Sequence, residues 1–162
     1  QTCALPISSE NLRQVLERRI MRTAKHHDTN VDACNQIVSN LIRSYLKNGI
    51  LNDETYAQTQ AESMNRRGKP LCAIRLRLRQ KALPIDMIDN AVKLLANEVG
   101  SPDLAAAIVF ARKRRLGPYR KKTCTPDIKD KELAALARSG FSYPLALRIV
   151  EAKNVDELKN EP

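Results

Sequence analysis

Apolar residues between residues 49 and 95 recur at steps of three and four, which is the spacing of one face of a helix. Asn52-Asp53 is suited to cap a helix N-terminus, and Arg66-Arg67-Gly68 is suited to end that helix with two cations and a glycine. Pro70 and Pro84 suit the first turns of two further helices. The pattern therefore predicts three consecutive helices. Their apolar stripes are Tyr56, Ala57, Ala61 and Met64; Leu71, Ile74 and Leu78; and Ile85, Ile88, Val92 and Leu95.

One stretch, residues 74–79, alternates apolar and basic residues, and that alternation alone indicates a β-strand. No β-branched run or turn pair accompanies it, and Leu and Arg are both strong helix formers. We therefore interpret residues 70–81 as a helix. In that helix Ile74 and Leu78 face a core that they share with Tyr56 and Ile88.

The same organisation recurs on both sides of this central segment. Before it, a cap at residues 8–11 opens one helix, and helical spacing resumes from Val31 to Tyr45. After it, Ser101-Pro102-Asp103 combines an N-cap, a first-turn proline and an acid. Two more helices are predicted from Asp127 or Asp130 and from Ser142 or Pro144. A shift of 58 residues lays residues 74–92 over residues 132–150 with matching apolar positions.

These patterns predict an all-α chain of tandem three-helix repeats that form an elongated, curved array. The predicted units are residues 8–48, whose first helix is absent, residues 49–100 and residues 101–153. Residues 154–162 are predicted to be a polar tail that frays, with weak docking by Val155 and Leu158. Residues 1–7 match what a common sequencing adapter encodes in one reading frame, and the chain lacks an initiator Met. We expect this segment to be a non-native scar and the true N-terminus to be missing.

Two groups of residues carry a resemblance to a known family. The first runs from Gly49-Ile50-Leu51-Asn52-Asp53 through Tyr56-Ala57, Gly68, Ile74 and Leu78 to Lys81-Ala82-Leu83. The second comprises residues 115–120, RLGPYR, and residues 133–143, LAALARSGFSY. In order and spacing they resemble the bacterial RecX family of regulatory proteins over residues 8–153. The family usually has glycine where this chain has Ala82, which puts in question a left-handed turn at that residue.

Basic residues are concentrated in two tracts. The chain has 28 Lys and Arg against 18 Asp and Glu, a net charge of +10, and 14 of the 28 cations lie in two segments without an acid. Helix-end cations account for about half of them. The rest favour an anionic partner. The first basic tract contains Arg66, Arg67, Lys69, Arg75, Arg77, Arg79 and Lys81; the second contains Arg112, Lys113, Arg114, Arg115, Arg120, Lys121 and Lys122.

All members of both tracts except Arg77 are our candidate partner-binding residues, because a helix turns Arg77 about 200° away from Arg75 while Arg75 and Arg79 share a face. Within or beside the two tracts only Tyr119 could stack on a base, which argues against base readout and against a single-strand site built on stacking. Carboxylate or phosphate contact is the remaining interpretation.

The resemblance implies a non-enzymatic regulator whose partner is the RecA recombinase filament on single-stranded DNA. It implies that the array lies in the helical groove of the filament and inhibits ATP hydrolysis and strand exchange. Two alternatives stay open: a helical module that binds nucleic acid directly, and a structural scaffold with an unrelated partner. We expect a cytoplasmic monomer.

Other chemistry finds little support in the sequence. With five Gly and two His, the chain shows no nucleophile elbow, glycine-rich phosphate loop or acid pair in an apolar setting, so we predict no enzyme activity and no cofactor. Adjacent His26 and His27 fit a solvated turn. Four widely spaced cysteines, without a CxxC motif, predict reduced thiols rather than a zinc site or disulfides. The sequence contains no run of 18 apolar residues, so we expect no membrane span.

Overall fold

The computed structural model describes residues 7–27, 30–121, 123 and 125–159. Of these described residues 76% are helical and none forms a strand, so the all-α prediction is confirmed. Cys3, Lys122 and Cys124 lie outside the described residues. The helices within the described ranges are α1 (Ser9–Ala24), α2 (Val31–Lys47), α3 (Asp53–Arg66), α4 (Leu71–Gln80), α5 (Ile85–Val99), α6 (Pro102–Arg114), α7 (Pro126–Arg138), α8 (Tyr143–Glu151) and α9 (Asp156–Lys159), with a 3-10 turn, η1, at Gly117–Tyr119.

Side-chain caps set the start of the first three helices. Ser8, Asn30 and Asn52 each accept a hydrogen bond from the backbone N–H three residues later, at 3.3, 3.0 and 2.9 Å. Ser101 is the N-cap residue of α6, as predicted, although its side chain makes no cap hydrogen bond. The neighbouring Asp103 instead accepts a hydrogen bond from the N–H of Leu71.

Helix α4 resolves the alternating stretch in favour of a helix. Ile74 and Leu78 are fully buried, whereas Leu76 is 59% exposed. In a strand, Ile74, Leu76 and Leu78 would all lie on one face, opposite the arginines. Here Leu76 lies on a different face from the other two. Only the leucine and isoleucine four residues apart face the core, and the strand interpretation is excluded.

The buried side chains of the described residues form three clusters. The α1–α2 pair encloses Val38, Ile42 and Leu51. In the α3–α5 unit Ile74, Leu78 and Ile88 are buried and Tyr56 packs against them, which confirms the predicted shared core. The third cluster joins α6, α7 and α8 and includes the C-terminal Leu158. The division into three units, the repeat relationship and the curved shape stay predictions.

The segment predicted to be a fraying tail contributes to the third core. Leu158 of α9 is fully buried, and its carbonyl accepts a hydrogen bond from Arg148 Nη2 at 3.4 Å. Glu157 Oε2 accepts from the N–H of Lys153 at 2.9 Å, which closes the turn before α9. The sequence predicts only weak docking by Leu158, whereas its side chain is fully buried in the structure.

The turn between α4 and α5 is left-handed at Ala82, with φ of 54°. The left-handed turn between α4 and α5 is therefore present, although this chain has alanine at the position instead of glycine. The N–H of Ala82 donates to the Arg79 carbonyl at 2.8 Å and that of Leu83 to the Leu78 carbonyl at 3.3 Å. These bonds hold the alanine in a conformation that glycine adopts at lower cost.

Candidate partner-binding surface

The first basic tract begins where α3 ends. Arg66 is the last residue of α3, Arg67 is its C-cap, and both side chains are exposed, as is that of Lys69. Cations at this position offset the partial negative charge of the unpaired carbonyls at a helix C-terminus. Local helix physics therefore explains why basic residues gather here.

Gly68 brings this helix end against α6. A Cβ atom at Gly68, where φ is 85°, would lie 3.0 Å from the backbone nitrogen of Phe110 and 3.2 Å from the Ala106 carbonyl oxygen. A side chain at this position would therefore push the two helices apart. Asn65, buried at the same interface, donates from Nδ2 to the Pro102 carbonyl at 2.8 Å.

This close approach joins the two basic tracts. Lys113 Nζ donates to the carbonyl oxygen of Arg67 at 2.9 Å, a contact between residues 46 positions apart. The Arg114 guanidinium lies over the ring of Phe110, 5.8 Å from its centroid. We call the resulting cluster the basic junction. Its members are Arg66, Arg67, Lys69, Lys113 and Arg114.

The basic junction carries more positive charge than the helix ends require. The C-termini of α3 and α6 together supply roughly one unit of negative partial charge. Five cations surround them, and none forms an ion pair with an acid in the described part of the chain. The excess positive charge is exposed, so the junction attracts anions from solution.

The remainder of the first basic tract lies in α4 and at its C-cap, and some of these side chains bond to other residues of the chain. Arg75 forms an ion pair with Asp89 of α5, and Arg77 donates to Gln80 at 3.5 Å. Lys81 Nζ donates to Asn11 Oδ1 of α1 at 2.8 Å, so its ammonium joins two helices. Arg79 is exposed and has no ion-pair partner among the described acids.

The second basic tract separates into surface residues and one internal residue. Arg120 donates from Nε to Glu132 Oε1 at 3.0 Å and from Nη2 to the Val150 carbonyl at 3.0 Å. Glu132 is buried and also accepts from the Gly117 N–H at 3.0 Å. Arg120 thus ties η1, α7 and α8 together. A partner-binding residue is expected to face solvent, whereas the Arg120 guanidinium faces the interior of the third unit. The other described members outside the junction, Arg112, Arg115 and Lys121, are exposed.

Sequence reasoning did not identify Glu132 as the partner of Arg120. The signal that was available is its position four residues before Leu136, on the buried face of α7. An acid on an apolar helix face needs a cation or several hydrogen bonds when it is buried. Glu132 has both.

The described residues contain no cluster of three or more His, Cys, Asp or Glu side chains that could hold a metal ion. Cys34 and Cys72 are free thiols, and His26 and His27 are exposed in the turn after α1. In the same described ranges no single helix is long and apolar enough to span a membrane. The bent pair Ile85–Val99 and Pro102–Tyr119 meets the length and composition criteria together.

Comparison with known proteins gives three relatives, all named regulatory protein RecX. The chain is 36% identical over 146 residues to the one from Myxococcus xanthus, covering 90% of this chain and 77% of that protein. It is 33% identical over 100 residues to the one from Agrobacterium fabrum, covering 62% of this chain and 51% of that protein. It is 22% identical over 148 residues to the one from Streptococcus agalactiae, covering 91% of this chain and 53% of that protein. No protein-family model and no solved structure matches the chain.

Proposed function

The chain belongs to the RecX family of regulatory proteins, and on this premise we propose that it regulates homologous recombination and DNA repair through a RecA filament on single-stranded DNA. In this proposal the protein binds the filament and inhibits its ATP hydrolysis and strand exchange. It acts as a cytoplasmic monomer and performs no catalytic step. The family membership supports the regulatory role, and the basic junction supports the binding mode.

The observation that carries the binding mode is the meeting of the two basic tracts at the Lys113–Arg67 contact. A nucleoprotein filament presents anionic groups, both phosphates and carboxylates, along its length. A compact cluster of exposed cations attracts such a surface over about one Debye length, roughly 10 Å at 0.1 M salt. Dispersed cations of the same number would give a weaker local field. The basic junction is therefore our candidate contact surface.

A recombinase ATPase assay on single-stranded DNA tests the regulatory role. Addition of the protein is expected to lower the rate of ATP hydrolysis in a concentration-dependent manner. The triple variant Arg66→Gln, Arg67→Gln, Lys69→Gln should weaken this inhibition, because it removes three junction cations while keeping residues that a helix accepts. A matched control removes three exposed cations outside both tracts, Lys25→Gln, Lys47→Gln and Lys93→Gln, and should inhibit almost as well as the wild type.

Two results would overturn the proposal in different ways. ATP hydrolysis that is unaffected by the wild-type protein would refute the regulatory role. Equal loss of inhibition in both triple variants would mean that net charge, rather than the basic junction, governs binding.

Direct binding to nucleic acid is the second candidate, because the junction cations, which form no ion pair with an acid in the described ranges, suit phosphate as well as carboxylate. It predicts tight, salt-sensitive binding to bare DNA that recombinase does not increase. A filament pull-down beside a titration of bare single-stranded DNA at the same salt concentration separates the candidates. Equal affinity for the two, with ATP hydrolysis unchanged, favours direct DNA binding.

A further inference from the structure

Two aspartates occupy equivalent positions at the boundaries between the units. Asp53, in the first turn of α3, accepts at Oδ1 from the N–H of Ser9 at 2.8 Å. Asp103, in the first turn of α6, accepts at Oδ1 from the N–H of Leu71 at 2.7 Å. Ser9 and Leu71 are the first residues of α1 and α4. Each carboxylate thus pairs an N–H that a helix start leaves unsatisfied, where negative charge is also favoured.

The surroundings of the two carboxylates differ. Asp103 lies in a packed boundary, where α3 lies directly against α6 and a Cβ atom at Gly68 would lie only 3.0 Å from the backbone nitrogen of Phe110. The aromatic pair Phe110–Phe141, with ring centroids 5.6 Å apart, adds apolar packing within the third unit next to this boundary. The bond to Asp103 is therefore one contact among many.

The boundary around Asp53 depends on polar contacts. Among the described residues, α1 and α2 pack mainly against each other and make only sparse contacts with α3, α4 and α5. The Ser9 hydroxyl donates to Asp53 Oδ2 at 2.6 Å, beside the backbone bond to Oδ1. Lys81 supplies the other polar link through its bond to Asn11. Small, polar boundaries of this kind permit relative motion of the parts that they join.

The connection between the two parts is very short. Leu51 is buried in the core of the α1–α2 pair, and Asp53 is the first residue of α3. Only Asn52 lies between them, in an extended conformation with φ of −144°, and its side chain caps α3. Rotation about the backbone bonds around Asn52 therefore changes the angle of the α1–α2 pair without disturbing either core. Hinges commonly consist of such element-terminal residues.

We propose that residues 51–53 form a hinge and that the Asp53 carboxylate is its latch. Bonded to the backbone and hydroxyl of Ser9, the carboxylate holds α1 and α2 in the orientation of this structure. When the two bonds break, the pair pivots about Asn52, while the α3–α6 boundary stays rigid. The angle of the pair sets how the chain follows a curved surface. The hinge itself depends on no particular partner.

Distance measurements between paired spin labels test the hinge. The four native cysteines are replaced by alanine, and labels are attached at exposed positions. One pair, Gln36→Cys with Lys93→Cys, spans the hinge between α2 and α5. A reference pair, Lys93→Cys with Ala134→Cys, places labels on α5 and α7, on the two sides of the rigid α3–α6 boundary. Asp53→Ala removes the latch, and Glu54→Ala is the matched control, because it removes an exposed acid from the same helix turn.

A narrow distance distribution is expected for both pairs in the otherwise unchanged chain. Asp53→Ala should broaden the distribution across the hinge and leave the reference pair unchanged, while Glu54→Ala changes neither. Ser9→Ala, which removes only the hydroxyl bond, should broaden the hinge distribution less, and circular dichroism checks that each variant keeps its helices. An unbroadened hinge distance in Asp53→Ala, or equal broadening of the reference pair, would overturn the proposal. These distances are measured without recombinase, so they stand apart from the outcome of the ATPase assay.

Discussion

At the scale of single residues, Ala82 is the clearest case of backbone strain that a substitution can relieve. A left-handed conformation costs an L-residue roughly 1–2 kcal/mol, and part of the gain from glycine is lost to its greater freedom in the unfolded chain. Ala82→Gly is therefore expected to raise the free energy of unfolding by about 1 kcal/mol. Chemical denaturation measures the change. Ala134→Gly, an exposed substitution inside α7, should instead lower it by about 0.5–1 kcal/mol.

Tyr56 links stability to pH at the alkaline end. Burial raises the pKa of the Tyr56 phenol above its ordinary value; the Arg77 charge lowers the pKa and the Asp53 carboxylate raises it, with burial the largest effect. The unfolded phenol therefore loses its proton at a lower pH than the folded one, so the contribution of Tyr56 to stability is complete below about pH 10 and is lost as the pH rises through the folded pKa. Tyr56→Phe should remove this loss. Urea denaturation of both proteins between pH 8 and 11 compares the slopes, and parallel profiles would contradict the expectation.

The residue scale also shows where sequence reasoning is limited. Asn52 could be identified as a cap because its partner is three residues away. Arg120 could not be separated from its basic neighbours, because its partner, Glu132, lies on another element and is brought close only by packing. Asp103 was recognised as a first-turn acid, but its acceptor role for Leu71, 32 positions away, depends on the same kind of long-range arrangement.

At the scale of elements, α4 tests which face of a helix carries the stability. Leu78 is fully buried in the second core, while Leu76 of the same helix is 59% exposed. Leu78→Ala should lower the free energy of unfolding by roughly 2–5 kcal/mol, because it removes buried methyl groups and leaves a cavity. Leu76→Ala should change it by less than about 0.5 kcal/mol, as is usual at exposed positions. Equal denaturation midpoints for the two variants would show that the buried face has been assigned wrongly.

Helix identity could be predicted here because spacing and capping are local. The helices from α1 to α8 were expected near their observed positions, including α4, whose alternating pattern alone favoured a strand. Helix α9 was not expected, since its four residues are polar except Leu158 and short helices carry little periodic signal. Its position depends on the apolar surface that α6 and α8 offer to one leucine.

At the scale of the whole molecule, the convergence of the two basic tracts could not be read from their positions in the chain. Each tract was visible as a run of cations, and each could have belonged to a separate surface. Their contact depends on Gly68, whose missing side chain lets α3 reach the backbone of α6. Sequence therefore predicted the charges, while the close packing of two helices determines that five of them share one surface.

That shared surface makes a prediction about salt. Added salt screens charges that lie beyond a Debye length, so inhibition of recombinase ATP hydrolysis should weaken as the salt concentration rises. The triple variant Arg66→Gln, Arg67→Gln, Lys69→Gln should show a flatter dependence than the wild type, because its junction keeps only Lys113 and Arg114. The control Lys25→Gln, Lys47→Gln, Lys93→Gln loses the same net charge and should keep nearly the wild-type slope. Inhibition measured from 50 to 200 mM salt, about the range over which phosphate contacts change affinity strongly, gives the three slopes. Identical slopes for the two triple variants would show that binding does not depend on where the cations lie.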